Sequence, residues 1–240
     1  MVMSQAVTTT TRQGLTGNTL KIIAILSMTL DHFGVHLFPG SDLLRLLGRL
    51  AQPIFAYLLA EGCRHTRNPR KHLLTILGVA ALCQVVYFAA LGSLYQCILV
   101  TFTLSILLIQ SLDRARRQKT SGAVLTAALV WLAVGFVCLG LPRLLAHTDF
   151  AIDFGLWGVL LPVFIYLGRN KKEQLLLTAL GLVPLALFFP NLGAIQWFSL
   201  LSLPLQALYD GRRGKGRMKY FFYLYYPLHL VVIYGVGLLL

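Results

Sequence analysis

Charge is scarce in this sequence: only 12% of its 240 residues are Asp, Glu, Lys or Arg, against about 25% in a typical soluble domain. That density leaves too little polar surface to cover a water-soluble globule of this size. Cysteine is also sparse. Cys63, Cys83, Cys97 and Cys138 are scattered and form no CxxC, so neither a disulfide framework nor a metal site is expected, and the thiols should pack as small apolar groups. GxSxG, HExxH, P-loop and GxGxxG signatures are all missing, which removes the familiar soluble hydrolase, zinc-protease and nucleotide-binding chemistries. No short apolar core with a small-residue cleavage site follows the N-terminus, so a cleavable secretory signal is not expected. No internal repeat is apparent.

What the chain does have is apolar length. Hydrophobic residues make up 57% of it, in stretches of roughly 17–22 residues, about what a helix needs to cross a bilayer. The reading is an all-α multispan transmembrane bundle of about nine spans: 19–38, 43–62, 71–91, 94–112, 121–140, 152–168, 173–189, 194–208 and 220–240. The sixth to eighth are short, and two of them could be re-entrant. Residues 1–18 read as a disordered, Thr-rich cytoplasmic tail, with Asn18 or Thr19 as N-cap of the first helix. Residues 19–240 then form a single membrane domain, and the loops leave no room for a soluble one.

The net charge of +13 could suggest nucleic acid, but its distribution points to a membrane partner instead. With nine spans and a cytoplasmic N-terminus, every Lys and Arg except Arg45, Arg49 and Arg143 falls on the cytoplasmic side. That is the positive-inside bias, and it places the C-terminus outside the cytoplasm. Most such loops serve topology alone. The loop YDGRRGKGRMKY at 209–220 interleaves glycine with cations, so Arg212, Arg213 and Lys215 are candidates to hold the phosphates of a ligand.

Ionisable residues inside the spans are costly and mark functional sites by default. Asp31 and His32 fall roughly 18 Å from the inner end of the first span, and Arg49 roughly 20 Å from that of the second. A carboxylate, an imidazole and a guanidinium at one level can neutralise one another or make an acid–base site. The bland alternative is a structural Asp31–Arg49 pair. Arg45, Arg49 and Gln52 share one helix face, Pro53 should kink that helix, and Gly48 permits close helix approach. In the last span His229 has Tyr225 and Tyr226 one turn before it, either as part of a site or as an interfacial aromatic belt. Glu61 closes the second span, and Arg143, Asp149 and Asp153 mark the outer mouth.

Three segments, LKIIAILSMTLDHFG at 20–34, LLGRLAQPIFAYLLAEGCRHTRN at 46–68 and YDGRRGKGRMKYFFYLYYPLHL at 209–230, resemble the TraX family, named for the protein that N-acetylates F-type pilin. FTLSILLI at 102–109 and the Asp153–Phe154–Gly155 stretch are similar but less specific. The resemblance implies acyl transfer from acetyl-CoA to an amine or hydroxyl of an envelope-associated acceptor, which would be a peptide, glycan or small molecule. It also implies kinship with transmembrane acyltransferases that use a buried histidine. On that reading His32 is the general base, and Asp31 influences its charge. Arg49, with Arg45 and Gln52 on its face, holds the oxyanion or a pantetheine carbonyl. Tyr226 and His229 line the thiol end. The alternatives are a proton- or anion-coupled transporter using Asp31, His32 and Arg49, and a non-catalytic membrane scaffold.

Overall fold

A computed structural model of the protein describes residues 14–188, 190–215 and 219–237, and their regular structure is helical. Apart from two isolated bridges, Leu15 with Tyr209 and Gln96 with Ile152, the described residues form no β-structure. The helices are α1 (Gly17–His36), α2 (Asp42–Gly48), α3 (Ala51–His65), α4 (Pro69–Leu91) and α5 (Ile98–Gln118). There follow α6 (Ser121–Gly135), a π-helical turn (Phe136–Gly140), α7 (Leu141–Leu144), α8 (Gly155–Leu167) and α9 (Lys171–Phe188). A 3₁₀ segment (Pro190–Leu201), α10 (Ser202–Ala207) and α11 (Lys219–Gly237) complete the chain.

Among the described residues, four helical stretches are long and apolar enough to cross a membrane: Asp42–His65, Pro69–Ala89, Ile98–Gln118 and Ser121–Leu144. Gly155–Leu167 and Leu224–Gly237 are shorter apolar helices. The long ones divide by burial. The apolar window of Asp42–His65 is 56% buried inside the protein, whereas those of Pro69–Ala89 and Ser121–Leu144 are each 17% buried. The outer pair turns Leu82, Val85, Phe88, Leu125, Leu129 and Leu132 outward, apolar surface that suits lipid rather than water.

The core lies between α3, α5, α8 and α9. Tyr57, Ile106, Leu161, Ile165 and Leu182 are almost wholly buried there, and Ala56 and Ala60 offer little side chain to hold the backbones apart. Tyr57 Oη donates to Gln174 Oε1 at 2.7 Å, which satisfies both buried groups.

Local chemistry differs from the sequence expectations in three places. The N-cap of α1 is Thr16, which accepts from the N–H of Thr19, rather than Asn18 or Thr19. Residues 1–13 of the expected disordered tail lie outside the described residues. Leu15 of that tail is bonded to the loop after α10, its N–H donating to Leu208 O at 2.8 Å. The expected kink at Pro53 is instead a break at Arg49–Leu50, between α2 and α3. Pro53 thereby falls in the first turn of α3, where a missing N–H costs no helical bond. Ser27 Oγ of α1 donates to the carbonyl of Leu47 beside this break.

The loops collect at two faces. On one, Arg64 donates to the carbonyls of Ile165, Tyr166 and Gly168, each at 2.7 Å, and so caps the end of α8. Gln110 reaches Pro69 O, and Lys171 Nζ reaches Tyr209 O. On the other face the α4–α5 loop is clamped to the approach to α8. Asp149 accepts from Ser93 Oγ at 2.5 Å and Leu94 N at 2.9 Å, while Gln96 N donates to Ala151 O at 2.8 Å.

Candidate functional site

The site begins where α1 and α2 cross. A Cβ at Gly48 would collide with Asp31, so only glycine allows this approach. The approach brings Arg49 Nη2 onto Asp31 Oδ1, with Arg45 Nε 3.4 Å from the same oxygen. Arg49 is only 4% exposed, and an unpaired charge there would be prohibitive. Its other donors are used as well: Nε on the carbonyl of Arg45 at 3.2 Å, and Nη1 on Gln196 Oε1 at 3.3 Å. Gln196 is a participant that sequence reasoning missed. A buried glutamine in the apolar run around Trp197 was the available signal.

One residue along α1, His32 faces α11. Its Nδ1 lies 2.9 Å from His229 Nε2, and His229 Nδ1 lies 3.1 Å from the carbonyl oxygen of Tyr225. The carbonyl can only accept, so His229 carries its proton on Nδ1. In a neutral ring its Nε2 is then the acceptor, and His32 Nδ1 the donor. The chain of bonds leaves the lone pair of His32 on Nε2. Tyr225 stacks on His229 at 5.3 Å between centroids, Tyr226 meets it edge-on at 5.3 Å, and Tyr225 Oη bonds Thr29 Oγ1 at 2.6 Å.

Both clusters border one cavity of about 380 Å³. Asp31, His32, Arg45, Arg49, Gln52 and Tyr226 all line it, as do Tyr95 and Asp153 from the clamped loops. Gln52 is 5% exposed, and neither its amide nitrogen nor its oxygen has a partner among the described residues. A buried amide with both ends unmet calls for a ligand or water supplied through the cavity. Phe154, also on the wall, holds a left-handed backbone at φ 58°. That conformation is strained for an aromatic residue and tends to mark functional turns.

The structure therefore places Asp31, Arg45, Arg49, Gln52, His32 and Tyr226 around a single chamber, with His229 bonded behind His32. Arg212, Arg213 and Lys215 are elsewhere. Their loop packs against the N-terminus of α1, where the carbonyls of Arg212 and Arg213 accept from Gly17 N at 2.8 Å and Asn18 N at 2.9 Å. Lys215 O accepts from Asn18 Nδ2 at 3.0 Å. The bonds from Gly17 N and Asn18 N satisfy helix N–H groups that would otherwise be orphaned. Glu61 sits near Arg64 and His65 at the far end of α3.

A helical bundle with lipid-facing outer helices and buried charges around an internal chamber is an integral membrane protein. The chain matches the TraX protein family over residues 16–237 and belongs to that family. It is 30% identical over 238 residues to a probable fimbrial assembly protein, FimC of serogroup H1, from Dichelobacter nodosus, covering 89% of this chain and 92% of that one. A short stretch of 38 residues, 16% of this chain and 15% of the other, is 42% identical to an uncharacterised protein of Rickettsia prowazekii. No solved structure matches.

Proposed function

We propose that the protein is a membrane-bound acetyltransferase that moves an acetyl group from acetyl-CoA to an amine or hydroxyl of an envelope-associated acceptor. The carrying observation is the bonded chain from Tyr225 O through His229 to His32, set on the wall of the chamber that also holds Asp31, Arg45 and Arg49. His32 Nε2 takes a proton from the acceptor as its nitrogen or oxygen attacks the thioester carbonyl carbon. The new C–N or C–O bond forms, the C–S bond breaks, and the departing thiolate recovers the proton from the His32 imidazolium. Arg49 and Arg45 stabilise the oxyanion of the tetrahedral intermediate, with Asp31 holding both guanidinium groups in place. Gln52 offers its unmet amide to the acceptor or to a pantetheine carbonyl. A transfer step of this kind on a surface polymer subunit suits a relative named as a probable fimbrial assembly protein.

The same reading takes the chain across the membrane about nine times. The N-terminus and the arginine-rich loops are cytoplasmic, and the chamber lies towards the outer face. The gathering of the basic loops at one face and of Ser93, Asp149 and Asp153 at the other supports it. The testing experiment is incubation of purified protein with labelled acetyl-CoA and a membrane extract. Release of free coenzyme A together with a labelled acceptor is expected. Solute flux in liposomes without thioester cleavage would make the protein a transporter instead.

A further inference from the structure

Three cavities share wall residues in series from the chamber to the surface. The polar chamber shares Met28, Phe55, Ile98 and Tyr226 with a second cavity of about 210 Å³, whose other walls include Leu59, Ile76 and Phe102. This apolar passage shares His72 with a third, a surface groove of about 710 Å³ at the end of α3, the start of α4 and the end of α5. The groove is lined by Arg67, Arg70, Arg114 and Arg117. All four are exposed, and no carboxylate among the described residues is ion-paired with any of them. Asp113, the acid in the groove, accepts from Tyr166 Oη at 2.6 Å.

We propose that this arginine groove binds the phosphates of the acyl donor, a nucleoside polyphosphate carrying a thioester arm, and that the arm runs through the apolar passage to His32. The inference rests on the acyl-transfer reading and adds to it where the donor sits. The positive-inside bias accounts for the sign of these charges, but not for their assembly around a groove that leads to the chamber. Guanidinium forks suit phosphate better than point charges do. The lengths agree. A pantetheine arm has about 13 bonds and reaches roughly 16 Å, at the advance of about 1.2 Å per bond of an extended chain. Along α3, from Gln52 on the chamber to Cys63 on the groove is also roughly 16 Å at the helical rise per residue.

The 209–215 loop is the competing phosphate site. Its Arg212 is committed to Asp210 through Nε at 2.9 Å and Nη2 at 2.7 Å, and its carbonyls are committed to α1. In this arrangement the loop is a clasp on the first helix, and the groove holds the donor.

The test is coenzyme A binding to the full-length protein in phosphatidylcholine nanodiscs, where both faces are open and inverted topology cannot hide the site. R67Q/R70Q/R114Q/R117Q should weaken binding about tenfold or more, since each charged hydrogen bond carries that order of affinity. Binding of S-acetylpantetheine, which lacks the phosphates, should be unchanged, and this shows that the variant is folded. R114K/R117K keeps the charge and should still lose several-fold. R213Q/K215Q should bind as the parent does. Unchanged coenzyme A affinity in the groove variants, or loss in R213Q/K215Q instead, overturns the proposal. So does a groove variant that loses only phosphatidylglycerol retention, which would make the groove a lipid site. A parent protein that binds no coenzyme A would sink the acyl-transfer reading itself.

Discussion

The charges of the chamber and those of the basic face obey different physics. Asp31, Arg45 and Arg49 lie among helices, and each is tied to another: two guanidinium groups on one carboxylate, with Gln196 and a backbone carbonyl taking further donors of Arg49. Arg67, Arg70, Arg114 and Arg117 are exposed and lack carboxylate partners among the described residues. Water solvates a charge at the rim, but inside the bundle a charge depends chiefly on other protein groups. A change in the chamber should therefore be expensive and partner-dependent, whereas one at the rim should cost little stability and report on ligands alone.

The sharpest way to break that contrast is His32→Ala. If His32 is the base, the variant stays folded and binds acetyl-CoA, while coenzyme A release falls by about 10²–10⁴-fold. Full turnover in His32→Ala would reduce the chamber to a structural polar core. Next in size are the stability effects. Asp31→Asn strands the buried Arg49 and should cost on the order of 3–5 kcal/mol, whereas Arg49→Gln leaves Asp31 with Arg45 and should cost less. Combining them should recover much of that loss in a thermal melt, and additive losses would mean that the pair does not act as one unit.

His229→Phe keeps a ring beside Tyr225 but removes the acceptor that orients His32. A drop of about 10-fold or more in kcat with KM little changed is expected, together with a displaced pH–rate profile. A purely packing role would leave the profile where it was. The smallest effect should come from the outer clamp. The Ser93 hydroxyl and the Leu94 N–H hold the exposed Asp149 carboxyl below its ordinary value. What this clamp contributes is present above pH of about 4 and fades as the pH falls through the lowered value. Asp149→Asn should remove that acid dependence and lower stability at neutral pH by the same small amount, and an unaltered acid profile would show the clamp to be idle.

The pairing of Asp31 with Arg49 was legible in the sequence because helical rise converts residue number into depth, and two consecutive helices carried opposite charges at one level. The tight crossing at Gly48 was legible for a similar reason, since a glycine opposite a polar residue has few other uses. Gln196 was harder. It sits far along the chain in a 3₁₀ segment with a non-helical Gly193, where neither period nor depth can be counted. The break at Arg49–Leu50 was misplaced to Pro53 because proline marks a weak point but does not choose which neighbouring turn gives way. The contact between His32 and His229 could be framed only as two helices bordering one cavity. Depth says nothing about which helices are neighbours around the bundle.

Composition, charge placement and apolar run length by themselves determined that this chain lives in lipid, that it is helical, and which few ionisable residues carry unusual cost. Those are one-dimensional properties, set by what a bilayer tolerates at each position along a span. Which nitrogen of His32 holds the lone pair, and whether a basic loop clasps a helix or faces a groove, was decided by tertiary structure alone. Both depend on contacts between residues nearly two hundred positions apart, such as His32 with His229 and Asn18 with Lys215.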